Sequence, residues 1–207
     1  MNSVQTLLLV TTGIFGIAFL GFLACWFWSA KWQRAAGYFF DFGFLVLCAV
    51  LFLEAIDLGV YLPVANMHQV LVFFSWSILL MFMFTRRGRA QYGFGIVLIP
   101  LVSIFLLLAV VCYDEQIRVP EEYLKNKIFA IHTLAAFFGY AAFALSFVAS
   151  SLYLLQDRAL KRKWGGNFYR QLPSLEALEH MVYSTVTLGV PLIGVTLLTG
   201  LVWAKQT

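Results

Sequence analysis

The chain has 207 residues, of which 62% are hydrophobic and only 12% charged, with a formal net charge of +4. Soluble domains carry about 25% charged residues, so half of the expected charge is absent and long apolar runs alternate with short charged ones. This excludes an ordinary soluble domain. The basic excess lies in short loops and reads as a topology signal, so no nucleic-acid partner is expected.

Residues 1–6 contain no Lys or Arg, and the apolar run after them is too long for the core of a cleavable signal, so the first span is expected to drive insertion itself. A helix needs about 20 apolar residues to cross the bilayer core. In chain order, the runs 6–28, 39–61, 69–85, 93–113, 128–155 and 182–203 meet or approach that requirement. The third is short, and the fifth is long enough to tilt or project. The expected architecture is all-α: a polytopic membrane helix bundle of about six transmembrane helices, with residues 1–207 forming one transmembrane domain. Loops 29–38, 86–92 and 156–181 hold ten of the fourteen basic residues. They are therefore expected on the cytoplasmic side, with both chain ends outside. Within loop 156–181, Gly165 and Gly166 break the fifth helix. Ser174 after Pro173 starts a short amphipathic helix that leads into the sixth span.

Cys25, Cys48 and Cys112 are isolated, with neither a Cys-x-x-Cys pair nor histidines at zinc-ligand spacing, and read as small apolar core residues. Trp26, Trp28, Trp32, Trp164 and Trp203 fall near span ends, as an interfacial belt requires. Phe73, Phe74 and Trp76 read as packing residues or as a surface for a flat ligand. Gly189 and Pro191 are expected to loosen the sixth span.

Three histidines carry the chemical possibilities. His132 opens the fifth span on the same face as Ala135, Ala136, Gly139, Ala142, Ser146, Ala149 and Ser150, with Ala141 off that stripe. Small-residue stripes mark close helix contacts in membranes, so His132 is expected to point into protein. Two roles fit: an axial haem ligand, or a polar bond to a neighbouring helix. His68 opens the third span at a similar level and reads as an interfacial polar residue or as a second haem or metal contact. His180 precedes the sixth span as an ordinary loop histidine. Glu54 and Asp57, at i and i+3 in the second span, read as one polar face. It serves either a proton or cation path, as in a small transporter, or a bond to another helix. Asp41 is expected to meet the adjacent basic loop.

The stretch PVANMHQVLVFFSW at residues 63–76, the histidine-bearing segment from Ile131 to Leu155, and residues 172–204 occur in an order and spacing that resemble the cytochrome c assembly family of the CcsA/ResC type. Such proteins deliver haem across the membrane for attachment to c-type apocytochromes. An external tryptophan-rich loop holds the haem between flanking histidines. The resemblance implies that His132 is the histidine before that loop, a haem and metal ligand; His68, which ends at the same outer level, is the internal candidate for a further cofactor contact. It implies a multi-pass protein of the bacterial cytoplasmic membrane, with partners in the lipid bilayer, haem, apocytochromes and another maturation protein. Catalysis is expected, at most, as part of a haem lyase system. A HemX-like branch, linked to control of haem biosynthesis, shares the pattern. Residue 207 falls before the tryptophan-rich motif, so weak haem binding is expected of this chain alone. Gln69 and His68 replace the family's usual Glu and Tyr. The second span has Cys48 near the place where many members carry a histidine.

Overall fold

The computed structural model describes residues 3–27, 31–85, 92–113, 124, 126–163 and 172–205. Six helices are defined among them: α1 (Ser3–Phe27), α2 (Lys31–Leu58), α3 (Met67–Thr85), α4 (Tyr92–Val111), α5 (Lys127–Lys161) and α6 (Leu175–Ala204). Four stretches are long and apolar enough to cross a membrane: Gly37–Leu58, Met67–Thr85, Lys127–Lys161 and Leu175–Ala204. Thr6–Gly21 and Val97–Val111 are apolar over shorter stretches. The chain is a polytopic helical bundle.

The helix ends are fixed by local chemistry. At the end of α2, Gly59 adopts φ 61°, and the N–H groups of Gly59 and Val60 bond the carbonyls of Ile56 and Ala55 at 3.1 and 3.2 Å. This is the paired closure that a left-handed residue allows, and glycine adopts that backbone without a Cβ clash. Seven residues later, Asn66 Oδ1 accepts the Gln69 N–H at 2.9 Å while Gln69 Oε1 accepts the Ala65 N–H at 2.8 Å. That is a reciprocal start signal for α3. The motif read above as a family signature is thus, physically, a helix cap, and either Gln or Glu serves at position 69. Asn126 and Ser174 cap α5 and α6 from one side, their side chains accepting the N–H groups of Ile128 and Ala177. The short amphipathic helix expected before the sixth span is instead the first turns of α6, because no break separates Ser174 from Ala204.

In the packing, α3 is the most enclosed span, lying against α2, α4 and α5. Its apolar side chains interlock with theirs: Phe73 packs edge-on to Phe137 with centroids 4.9 Å apart, and Phe74 to Phe105 at 5.4 Å. Trp76 contacts Phe138 and donates its indole N–H to Cys48 Sγ at 3.2 Å. These aromatics are interhelical packing residues. By contrast, α6 rests chiefly on α5. Of its membrane-length window only 17% is buried, against 56% for α3, so most of α6 faces outward from the bundle.

The orientation argument rests mainly on residues outside the described ones, among them Arg86, Arg87, Arg89, Arg118 and Arg170. The side chains of Lys31, Arg34, Cys25, Trp26, Trp28, Trp32 and Trp164 also lie outside them, as do Gly165 and Gly166.

Candidate functional site

The small-residue stripe of α5 is the surface on which α6 packs. Gly139 is buried, and a Cβ placed there would lie 2.7 Å from Ile193 Cδ1. On the facing helix, a Cβ at Gly189 would lie 3.1 Å from Ala142 Cβ. The backbones approach this closely because both positions lack side chains. Ala141, expected to lie off the contact, is fully buried, because α5 also packs against α3 and is covered on more than one face.

At the N-terminal end of this seam lies His132, half-buried against the last turns of α6. Its Nδ1 lies 2.9 Å from the Thr196 carbonyl oxygen and 3.2 Å from Thr199 Oγ1. A carbonyl only accepts, so Nδ1 carries the hydrogen. The Thr199 hydroxyl donates to the Val195 carbonyl at 2.7 Å and offers a lone pair to the same imidazole N–H. Nε2, which bears the lone pair whenever the ring is neutral, has no protein partner among the described residues. The ring sits close against α6 because position 200 is glycine: a Cβ there would come within 3.1 Å of His132 Cε1 and 3.4 Å of Nδ1. One turn beyond, Phe129 and Trp203 pack edge to face with centroids 5.6 Å apart and join the same two helices.

His68 has a different setting. It is 2% exposed. Its Nδ1 meets the Ala109 carbonyl at 2.8 Å and its Nε2 meets Glu54 Oε1 at 2.8 Å, so both ring nitrogens are engaged within the protein. Tyr113 stands edge-on to the ring at 4.9 Å. Glu54 and Asp57, read as one face, are separated by burial: Glu54 is 6% exposed, whereas Asp57 is exposed. His180 is exposed near the start of α6, with Nδ1 3.2 Å from Ser184 Oγ. Among the described residues no group of three or more His, Cys, Asp or Glu side chains could hold a metal ion.

The structure therefore places His132 and His68 in separate helix pairs. Of the residues that hold them, Glu54 was read as bonding another helix but without its partner, and Thr196, Thr199, Gly200 and Ala109 were not read as contacts of either ring. The contacts span 64 and 67 residues at His132, and 14 and 41 at His68. No local periodicity reports such pairings.

A polytopic helical membrane protein with an imidazole presented at one end of its α5–α6 seam is the class that these observations define. The chain belongs to the cytochrome C assembly protein family, whose match covers residues 64–207. Protein HemX of Brevibacillus brevis is 30% identical over 151 residues, covering 70% of this chain and 54% of that protein. Protein HemX of Bacillus subtilis (strain 168) is 31% identical over 146 residues, 69% of this chain and 52% of that protein. Cytochrome c biogenesis protein CcsA of Guillardia theta is 21% identical over 166 residues, 70% and 54% of the two chains. The chain thus spans about half the length of the curated relatives it matches. No solved structure matches it at comparable significance.

Proposed function

We propose that this chain acts in cytochrome c biogenesis in the bacterial cytoplasmic membrane, as one transmembrane unit that presents His132 to haem on its way to c-type apocytochromes. The observation that carries the reading is the state of the His132 ring. A histidine that ligates a metal usually gives its other N–H to a carbonyl or carboxylate, which fixes the tautomer and orients the ring. The Thr196 carbonyl supplies that partner at 2.9 Å, and a neutral Nε2 is the atom that an iron takes. Haem, as cargo, supplies an iron with an open axial position. The chain's own part is to keep the hydrogen on Nδ1 and to aim the ring from one side against α6. His68 has neither nitrogen to spare in this arrangement, so the ligand role rests on His132 alone. Membership in the cytochrome C assembly protein family supports the haem context. The partner reading follows from it: a second maturation protein and the apocytochrome.

Haemin titration of the purified chain in detergent tests this. A weak Soret shift is expected, lost in His132→Ala, restored by added imidazole and retained in His180→Ala. A Soret shift unchanged by His132→Ala would remove the reading. The HemX-like alternative, action on haem biosynthesis, draws on the 30% and 31% identities to the two HemX proteins, against 21% to CcsA. Deletion of the gene separates the two: loss of covalent haem in c-type cytochromes supports the first, and altered tetrapyrrole levels with normal c-type cytochromes support the second.

A further inference from the structure

The Glu54–His68 pair plays no part in that reading, and its hydrogen accounting can be completed. The Ala109 carbonyl accepts from His68 Nδ1 at 2.8 Å. It is one of the carbonyls left open where α4 ends, since the Tyr113 N–H turns to the Val110 carbonyl instead. Because a carbonyl cannot donate, Nδ1 carries a hydrogen. Nε2 then faces Glu54 Oε1 at 2.8 Å, a distance at which two bare acceptors repel. One proton must lie between them. It is held either by an imidazolium opposite a carboxylate or by a carboxylic acid opposite a neutral ring, and both arrangements leave the pair neutral. Glu54 Oε2 is buried with no hydrogen-bond partner among the described residues, so His68 is the polar group on which this carboxyl depends. Among the described residues, Tyr113 from the end of α4 is the titratable side chain against the ring, and on α2 Asp57, one turn from Glu54, is exposed. On α3 the next side chain, Gln69, is neutral.

We propose that Glu54 and His68 form a buried proton-binding site that holds a single shared proton and fastens α2 to α3, with Ala109 joining α4 to the same point. Parting α2 from α3 leaves a carboxylate and an imidazolium unpaired in an apolar setting if the pair is ionic, unless the proton moves as they separate, and leaves an acid and an imidazole without partners if it is neutral. From the ionic arrangement, opening of this end of the bundle is therefore coupled to transfer of that proton from His68 to Glu54.

Solid-state NMR on the full chain in lipid bilayers at neutral pH reads the site directly. The Glu54 carboxyl carbon and the His68 ring nitrogens are identified by their mutual dipolar coupling, with no variant needed. A carboxylate beside a cationic ring, or a carboxylic acid beside a neutral ring protonated at Nδ1, is the expected result. A carboxylate beside a neutral ring, or a protonated carboxyl beside a cationic ring, overturns the proposal. As a second measurement, Glu54→Gln keeps an N–H that can donate to Nε2 and should unfold within a few degrees of the unmodified protein. Glu54→Ala should lower Tm by about 5 °C or more. Equal Tm for both variants would show that the shared hydrogen does not fasten the helices.

Discussion

His132 and His68 begin from the same bond, an Nδ1–H given to a main-chain carbonyl on another helix at 2.9 and 2.8 Å. They part at the second nitrogen. At the α5–α6 seam Nε2 meets no protein group among the described residues and the ring is half-buried; at the α2–α3–α4 junction Nε2 meets a carboxyl and the ring is enclosed. An identical tautomer-fixing contact therefore serves two ends. Where the other nitrogen is left open, the ring can be offered to a ligand; where it is filled, the ring ties helices together. The surroundings agree with that division, since α3 is the most enclosed span and α6 the least among the four long enough to cross a membrane.

The largest effect expected from breaking this comparison is at the enclosed ring. His68→Ala leaves Glu54 buried without its partner and should cost about 3–5 kcal/mol. His132→Ala removes a half-buried bond worth about 1 kcal/mol. Reversible unfolding of the two variants in one detergent measures both, and a His132 cost equal to that of His68 would erase the distinction. Next is the seam itself. Gly139→Leu forces bulk into the space occupied by Ile193 and should cost about 2–3 kcal/mol, with faster amide exchange in α6 than in α3. Tyr140, 59% exposed on the same turn, provides the comparison position, and an equal loss in Tyr140→Leu would discount the seam. The smallest change in structure sharpens the functional half. Gly200→Ala crowds the His132 ring by a few tenths of an ångström and should weaken haemin binding about tenfold, in line with other groups that orient a metal-binding histidine, while Tm stays near that of the parent. Unchanged haemin affinity would mean that α6 does not aim the ring.

The six apolar runs were legible because hydropathy integrates over twenty residues, and each corresponds to one helix. Their ends were less so. The second run was expected from 39, yet α2 begins at Lys31, and α5 continues past 155 to Lys161, because polar residues extend a helix that has already left the apolar layer. The stripe through Gly139 and Ala142 was legible as a contact surface, since small residues at helical spacing have few other uses in a membrane span. The identity of the facing helix was not. Glu54 illustrates the limit most clearly. Sequence spacing joined it to Asp57, whereas burial joins it to His68, because a carboxyl inside the bundle takes whichever donor the tertiary packing supplies.

The linkage between α2 and α3 has a consequence for how the chain enters lipid during synthesis. Residues 59–66 are all that separates the two helices, and both ends of that link are closed by their own hydrogen bonds, at Gly59 and at Asn66. A newly made α2 standing alone exposes Glu54 to hydrocarbon with no donor in reach, a state that membrane insertion disfavours. The short, self-closed link delivers His68 at the second residue of α3, so the polar residue of one span meets its partner as soon as the next begins. The second and third spans are thus suited to partition into the bilayer as a hairpin, with the Glu54 carboxyl partnered at the moment of entry rather than after assembly of the bundle.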